Sequence, residues 1–79
     1  NLINNQTNLN NNHNNEFIKI KDMCIQCKIE KYEKIFVNQE IDDYAMFLLK
    51  EKDLIELNIP KGPRLKINNY LFEKYNYNI

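Results

Sequence analysis

A chain of 79 residues with 11 basic and 11 acidic side chains, no net formal charge and a single glycine has room for one small domain at most. That balance argues against a protein whose main task is gripping phosphates or anionic lipid, so neither nucleic acid nor a membrane is an expected partner. No run approaches the ~18 consecutive apolar residues of a membrane span, and the N-terminus lacks a charged-then-apolar signal pattern, so the expected setting is intracellular, cytoplasmic or nuclear.

Residues 1–15 stand apart in composition. Nine of them are asparagine, and Leu2, Ile3 and Leu9 are too few to offset the entropy of ordering the chain. The expectation is a disordered, low-complexity Asn-rich segment, with a prion-like assembly role as the rival reading of such a tract. His13 sits alone within it, and the absence of an initial Met points to a fragment of something longer. The foldable domain is then residues 16–79. A domain of that size buries only about 60% of the surface its unfolded chain exposes, so marginal stability and no large substrate cleft are expected.

From Phe17 the pattern becomes helical: Ile20, Met23, Cys24 and Cys27 fall at i, i+3, i+4 and i+7, one apolar stripe. A second helix is predicted over Ile29 to Val37, where Ile29, Tyr32, Ile35 and Phe36 recur at spacings of three and four and Glu30, Lys31, Glu33 and Lys34 face outward. Asp42 or Asp43 suits the N-cap of a short third helix through Ala45–Leu49, because a carboxylate there accepts from otherwise unpaired amides. A fourth spans Glu51 to Leu57, with Asn58 able to take the left-handed position beyond its end and Pro60 blocking continuation. The last is predicted to start around Pro63, tolerated in a first turn, and to run to about Tyr75. Its inward face is Ile67, Tyr70, Leu71 and Tyr75; Arg64, Lys66, Asn68, Asn69, Glu73 and Lys74 are expected to be wet, and Leu65 and Phe72 lie off the apolar stripe. No stretch alternates long enough for a strand, so the expected class is all-α.

The segment Cys27-Lys28-Ile29-Glu30-Lys31-Tyr32, followed by Phe36, Glu40-Ile41-Asp42 and Leu48-Leu49, resembles the middle of sterile alpha motif (SAM) domains. Glu51-Lys52-Asp53-Leu54 and Glu56-Leu57-Asn58-Ile59 are similar to that family's acidic-Asp-Leu and Glu-Leu-Gly-Ile signatures, and Gly62-Pro63-Arg64-Leu65-Lys66-Ile67 to the opening of its long final helix. The blocks occur in order over about fifty residues. The resemblance implies a five-helix SAM-type bundle with a longer C-terminal helix. There are departures: Met23 stands where the family usually has Trp, Lys28 and Asn58 where it has Gly, and Lys50 where Ser or Thr would cap the fourth helix, so that the reciprocal box with Asp53 is expected to be lost and the helix to start late or fray.

Charge is unevenly distributed along this domain. Residues 37–56 carry six acids against Lys50 and Lys52, a balance of minus four, whereas residues 57–79 carry four cations against Glu73, a balance of plus three. Unlike surfaces can steer one copy onto the next in a heterologous contact. The resemblance implies head-to-tail docking of this kind, with Asp42, Asp43, Glu51 and Asp53 on the acidic mid-loop surface and Lys61, Gly62, Arg64 and Lys66 on the basic end-helix surface. The partner would be the domain itself, another SAM domain or another protein, within a larger signalling kinase or scaffold. The bland reading is that these charges solvate the surface and cap helices, since exposed ion pairs contribute only about 0–1 kcal/mol.

Three rivals weigh less. Some SAM domains bind RNA hairpins, and Lys28, Lys61, Arg64 and Lys66 would supply the phosphate contacts, but four cations without a wider basic field give weak, salt-sensitive binding and no aromatic is placed for base stacking. Cys24-x-x-Cys27 invites zinc or redox chemistry, yet a tetrahedral site needs four ligands, and both thiols fall on the apolar stripe, where cysteine behaves as a small hydrophobe. The chain contains no serine, and Thr7 and His13 lie in the Asn-rich tract, so no catalytic residue, cofactor, metal or small-molecule substrate is expected.

Overall fold

The computed structural model describes residues 16–79, which form four α-helices and two 3₁₀ turns, with no strand among the described residues. In chain order these are α1 (Ile18–Gln26), a 3₁₀ turn at Glu30–Tyr32 leading into α2 (Glu33–Asn38), a second 3₁₀ turn at Ala45–Leu48, α3 (Glu51–Glu56) and the long α4 (Lys61–Tyr75). The expectations for the Asn-rich segment and His13 lie outside the described residues.

The first three helices end in one way. Lys28, Glu40 and Asn58 take left-handed φ of 57°, 56° and 62°. The amide of the next residue then bonds back across the turn: Ile29 to the Cys24 carbonyl at 2.8 Å, Ile41 to Phe36 at 2.8 Å and Ile59 to Leu54 at 3.1 Å. This Schellman geometry satisfies carbonyls that the helix leaves open and aims the following apolar side chain inward. Ile29 and Ile59 are accordingly buried and Ile41 packs partly against the core. α4 ends on a wider variant, with Asn76 at φ 57° and the Tyr77 amide on the Leu71 carbonyl at 3.1 Å. Gly62, the one glycine of the chain, serves none of these ends and lies in the first turn of α4.

Every element feeds the core. The α1 stripe of Ile20, Met23, Cys24 and Cys27 is buried as its spacing predicts, Met23 filling the place where a larger aromatic was the family expectation. Phe36, Met46, Leu49, Leu54 and the α4 residues Ile67, Tyr70 and Leu71 complete it. Two contacts pin α4 to α1: the Asp22 carboxylate accepts from the Tyr70 hydroxyl and from Lys74 Nζ at 3.1 Å, and Cys27 Sγ donates to the Lys66 carbonyl at 3.4 Å. Beyond α4 the left-handed Asn76 folds the chain back. Tyr77 then donates its hydroxyl to the Leu49 carbonyl at 2.9 Å, and Phe47 meets Tyr75 and Tyr77 edge to face with centroids 5.0 and 5.7 Å apart.

The structure departs from the expected five helices in two places. The second predicted helix opens as a 3₁₀ turn before α2, since the left-handed Lys28 has just turned Ile29 into the core. The third closes as a single 3₁₀ turn. Asp42 caps it, Oδ1 accepting from the Tyr44 and Ala45 amides at 3.1 and 2.8 Å, but Leu49 switches to extended backbone (ψ 139°) to reach the core and ends it after four residues. α4 starts at Lys61, two residues ahead of the expected Pro63, which occupies the first turn, where a missing amide leaves no helical bond unmade.

Candidate functional site

The family resemblance implies an acidic surface with four carboxylates, and each of them makes a hydrogen bond within the fold. Asp42 caps the second 3₁₀ turn, as above. Asp43 caps a different element: its Oδ1 accepts from the Lys19 and Ile20 amides at 2.8 and 3.1 Å, and its own amide donates to the Glu16 carbonyl at 2.6 Å. The first turn of α1 has no capping side chain of its own, so this aspartate supplies one from 24 residues away. Asp53 Oδ2 accepts from the Lys50 amide at 2.8 Å. The expected loss at Lys50 is therefore only half a loss: an ammonium cannot accept from an amide, but the Asp53 arm of the box persists, and α3 starts without delay at Glu51.

Glu51 and Arg64, expected on opposite surfaces, bond to each other. Arg64 Nε donates to Glu51 Oε2 at 2.9 Å, and Arg64 Nη1 donates to the Ile59 carbonyl at 2.8 Å. Arg64 was expected to be wet, yet its side chain is only 17% exposed. It ties the start of α4 to the start of α3, because a guanidinium can serve a carboxylate and a carbonyl together. The other end-helix residues, Lys61, Gly62 and Lys66, are exposed, and nothing lies within 4 Å of where a Gly62 Cβ would be.

Charge counting missed an apolar feature beside Asp53 and Glu56. A groove of about 250 Å³ is walled by Ile41, Ala45, Leu48 and Leu57, with Asp53 and Glu56 among its lining. Leu48 at its edge is 59% exposed and nearby Tyr44 is 78% exposed. The signal for it was the apolar excess of the Ala45–Leu49 stretch, more than one four-residue turn can bury.

A depression of about 570 Å³ lies between the end of α1 and α4, and Lys28, Lys66, Asn69, Tyr70 and Lys74 line it with Cys27. Of the cations named for RNA, Lys28 and Lys66 share this cleft, whereas Lys61 and Arg64 do not line it. Both cysteines are free and buried. Burial pushes the Cys24 thiol up to about 12 and raises Cys27 as well, despite the nearby Lys66 charge, so each is held as a thiol and packs as a hydrophobe. Among the described residues no three His, Cys, Asp or Glu side chains gather as a metal would require, and no helix is long and apolar enough to cross a membrane.

A bundle of short helices stapled by carboxylate caps, with charged and apolar groups displayed at its surface, defines a small helical interaction domain. The SAM domain (sterile alpha motif) family matches over residues 16–72, and the chain belongs to that family. SAM domains are in general protein–protein interaction modules without catalytic activity of their own. The chain is similar to the triacylglycerol hydrolase DDHD2 of Homo sapiens, 37% identical over 49 residues that make up 62% of this chain and 7% of that protein. It is also similar to the chloroplastic import inner membrane translocase subunit HP30-1 of Arabidopsis thaliana, 36% identical over 55 residues, 70% of this chain and 21% of that protein. The chain thus spans a small part of either relative. No solved structure gives a significant match.

Proposed function

We propose that this domain docks head to tail, on copies of itself or on another SAM domain or protein, within a larger intracellular signalling or scaffold protein. The acidic mid-loop surface with Asp42, Asp43, Glu51 and Asp53 receives the basic end-helix surface with Lys61, Gly62, Arg64 and Lys66. The observation that carries this reading is the apolar groove set among acidic residues, with Asp53 and Glu56 in its lining. An apolar centre with a polar rim is the usual anatomy of a protein interface, and the exposed lysines at the start of α4 match its charge. That the chain covers 7% and 21% of two relatives with unlike names supports a module carried by longer proteins.

The test uses substitutions that spare the internal bonds of Asp43 and Arg64. Sedimentation against concentration compares wild type with Lys61→Glu and with Glu56→Lys. Each variant alone is expected to lose head-to-tail association, and mixing the two to recover a single head-to-tail junction and no longer chain. A wild type that stays monomeric at high concentration would remove self-docking. RNA-hairpin binding is the second reading, favoured by one observation, the shared cleft of Lys28 and Lys66. It requires a gel shift that weakens steeply with salt and is abolished by Lys28→Ala with Lys66→Ala.

A further inference from the structure

We infer that the outer face of α4 is self-complementary and pairs two copies of this domain antiparallel, about a two-fold axis near Asn69. The core stripe of α4 is Ile67, Tyr70 and Leu71, and the opposite side of the helix carries Leu65 and Phe72, 58% and 50% exposed. These two lie seven residues apart, two turns and about 10 Å along one line of the helix. Asn68 and Asn69 sit between them, and all four line a shallow groove of about 240 Å³ together with Asn78. Two large apolar side chains on the wet side of a helix are unexplained by the packing of the domain itself.

The charges say what covers them. Lys66 and Glu73 are also seven residues apart, both exposed, on one flank of the Leu65–Phe72 line, and neither forms an ion pair among the described residues. A two-fold axis perpendicular to a pair of antiparallel helices keeps each flank on its own side and exchanges the ends. Lys66 of one copy then meets Glu73 of the other, twice, while Leu65 packs against Phe72, also twice. A parallel pairing, about an axis along the helices, exchanges the flanks instead and carries the Lys66 and Glu73 of the two copies to opposite sides of the contact, where they cannot pair. The Asn69 side chains meet at the axis, where an amide offers both donor and acceptor. The occupant that fits this face is a second copy of the same helix in reverse.

This contact is isologous and closes at the dimer, unlike a heterologous head-to-tail contact, which continues or forms rings. It is independent of the head-to-tail proposal, although Lys66 cannot serve both contacts at once. Paired faces of this length fall below the ~1,200 Å² of standard complexes, so association is weak and must be sought at high protein concentration.

The experiment is sedimentation of the full chain at rising concentration, with variants checked for folding by circular dichroism. Phe72→Asp is expected to abolish the dimer. Lys66→Glu and Glu73→Lys alone are each expected to weaken it about tenfold, since symmetry doubles the effect of every exposed pair, and the double swap is expected to restore it. Asn69→Cys should give a disulfide-linked dimer on mild oxidation, which wild type, with its thiols buried, does not. Glu56→Lys breaks head-to-tail docking and leaves this dimer intact. A wild type monomeric throughout, a Phe72→Asp variant that associates as wild type does, or a double swap that fails to rescue would each overturn the inference.

Discussion

Asp43 Oδ1 accepts two amide hydrogens from the first turn of α1, a service that no residue adjacent to that helix performs. Removing a capping carboxylate costs about 0.5–2 kcal/mol, so Asp43→Ala is expected to lower the unfolding free energy by about that amount in urea denaturation. Asp43→Asn, which keeps an acceptor oxygen, is expected to lose less. Glu56, with no internal bond, should tolerate Ala within about 0.5 kcal/mol. Lys28 gives the opposite sign. A side chain with a Cβ in left-handed geometry costs about 1–2 kcal/mol, whereas glycine there is unstrained. Lys28→Gly is therefore expected to raise stability by roughly 0.5–1 kcal/mol, the remainder being offset by the extra freedom of glycine in the unfolded chain. A lower denaturation midpoint in Lys28→Gly would contradict this.

At the scale of elements, α4 is held to α1 through Asp22, whose carboxyl is kept below its ordinary 3.8 first by the Tyr70 hydroxyl and then by Lys74. A group whose folded pKa is depressed stabilises the fold above its unfolded pKa and loses that contribution as pH falls through the folded value. Acid unfolding should therefore steepen below the ordinary carboxylate value of 3.8. Asp22→Asn is expected to flatten that limb, and so, more weakly, is Tyr70→Phe, which removes the largest cause and leaves Lys74; melting temperature against pH reads both. The helix ends carry a second lesson. Helices α1, α2 and α3 share one stop geometry at three chemically unlike residues, Lys28, Glu40 and Asn58. What the three sites have in common is the isoleucine that follows, and its burial offsets the strain of the turn.

For the whole molecule the relevant comparison is between a single core side chain and total stability. Folded domains hold roughly 0.05–0.15 kcal/mol per residue, a few kcal/mol for a domain this small, and truncating a buried leucine to alanine costs about 2–5 kcal/mol. Leu54→Ala, at a position with no exposed surface, is expected to leave a large unfolded fraction at room temperature by circular dichroism. Alkali acts on the whole core through Cys24. Its thiol ionises at its ordinary 9.0 once unfolded but only at about 12 when folded, so the unfolded state gains as pH rises through that window, and Cys24→Ala should lessen the dependence.

The class of fold was legible along the chain, because apolar spacing at three and four residues is a local property of the helix and survives without knowledge of neighbours. That spacing marked the buried stripe of α1, the inward face of α4 and the exposure of Leu65 and Phe72 as well. The Asp42 cap was legible too, its partners lying two and three residues on, but the bonds that charged and polar groups make across the fold were not. Asp43 caps a helix 24 residues distant, Arg64 reaches Glu51 across 13 residues, and Tyr77 returns to Leu49 across 28. A hydrogen bond is satisfied by proximity in space, so a carboxylate that reads as free surface charge along the chain becomes a structural cap once folding brings an unpaired amide within about 3 Å of it.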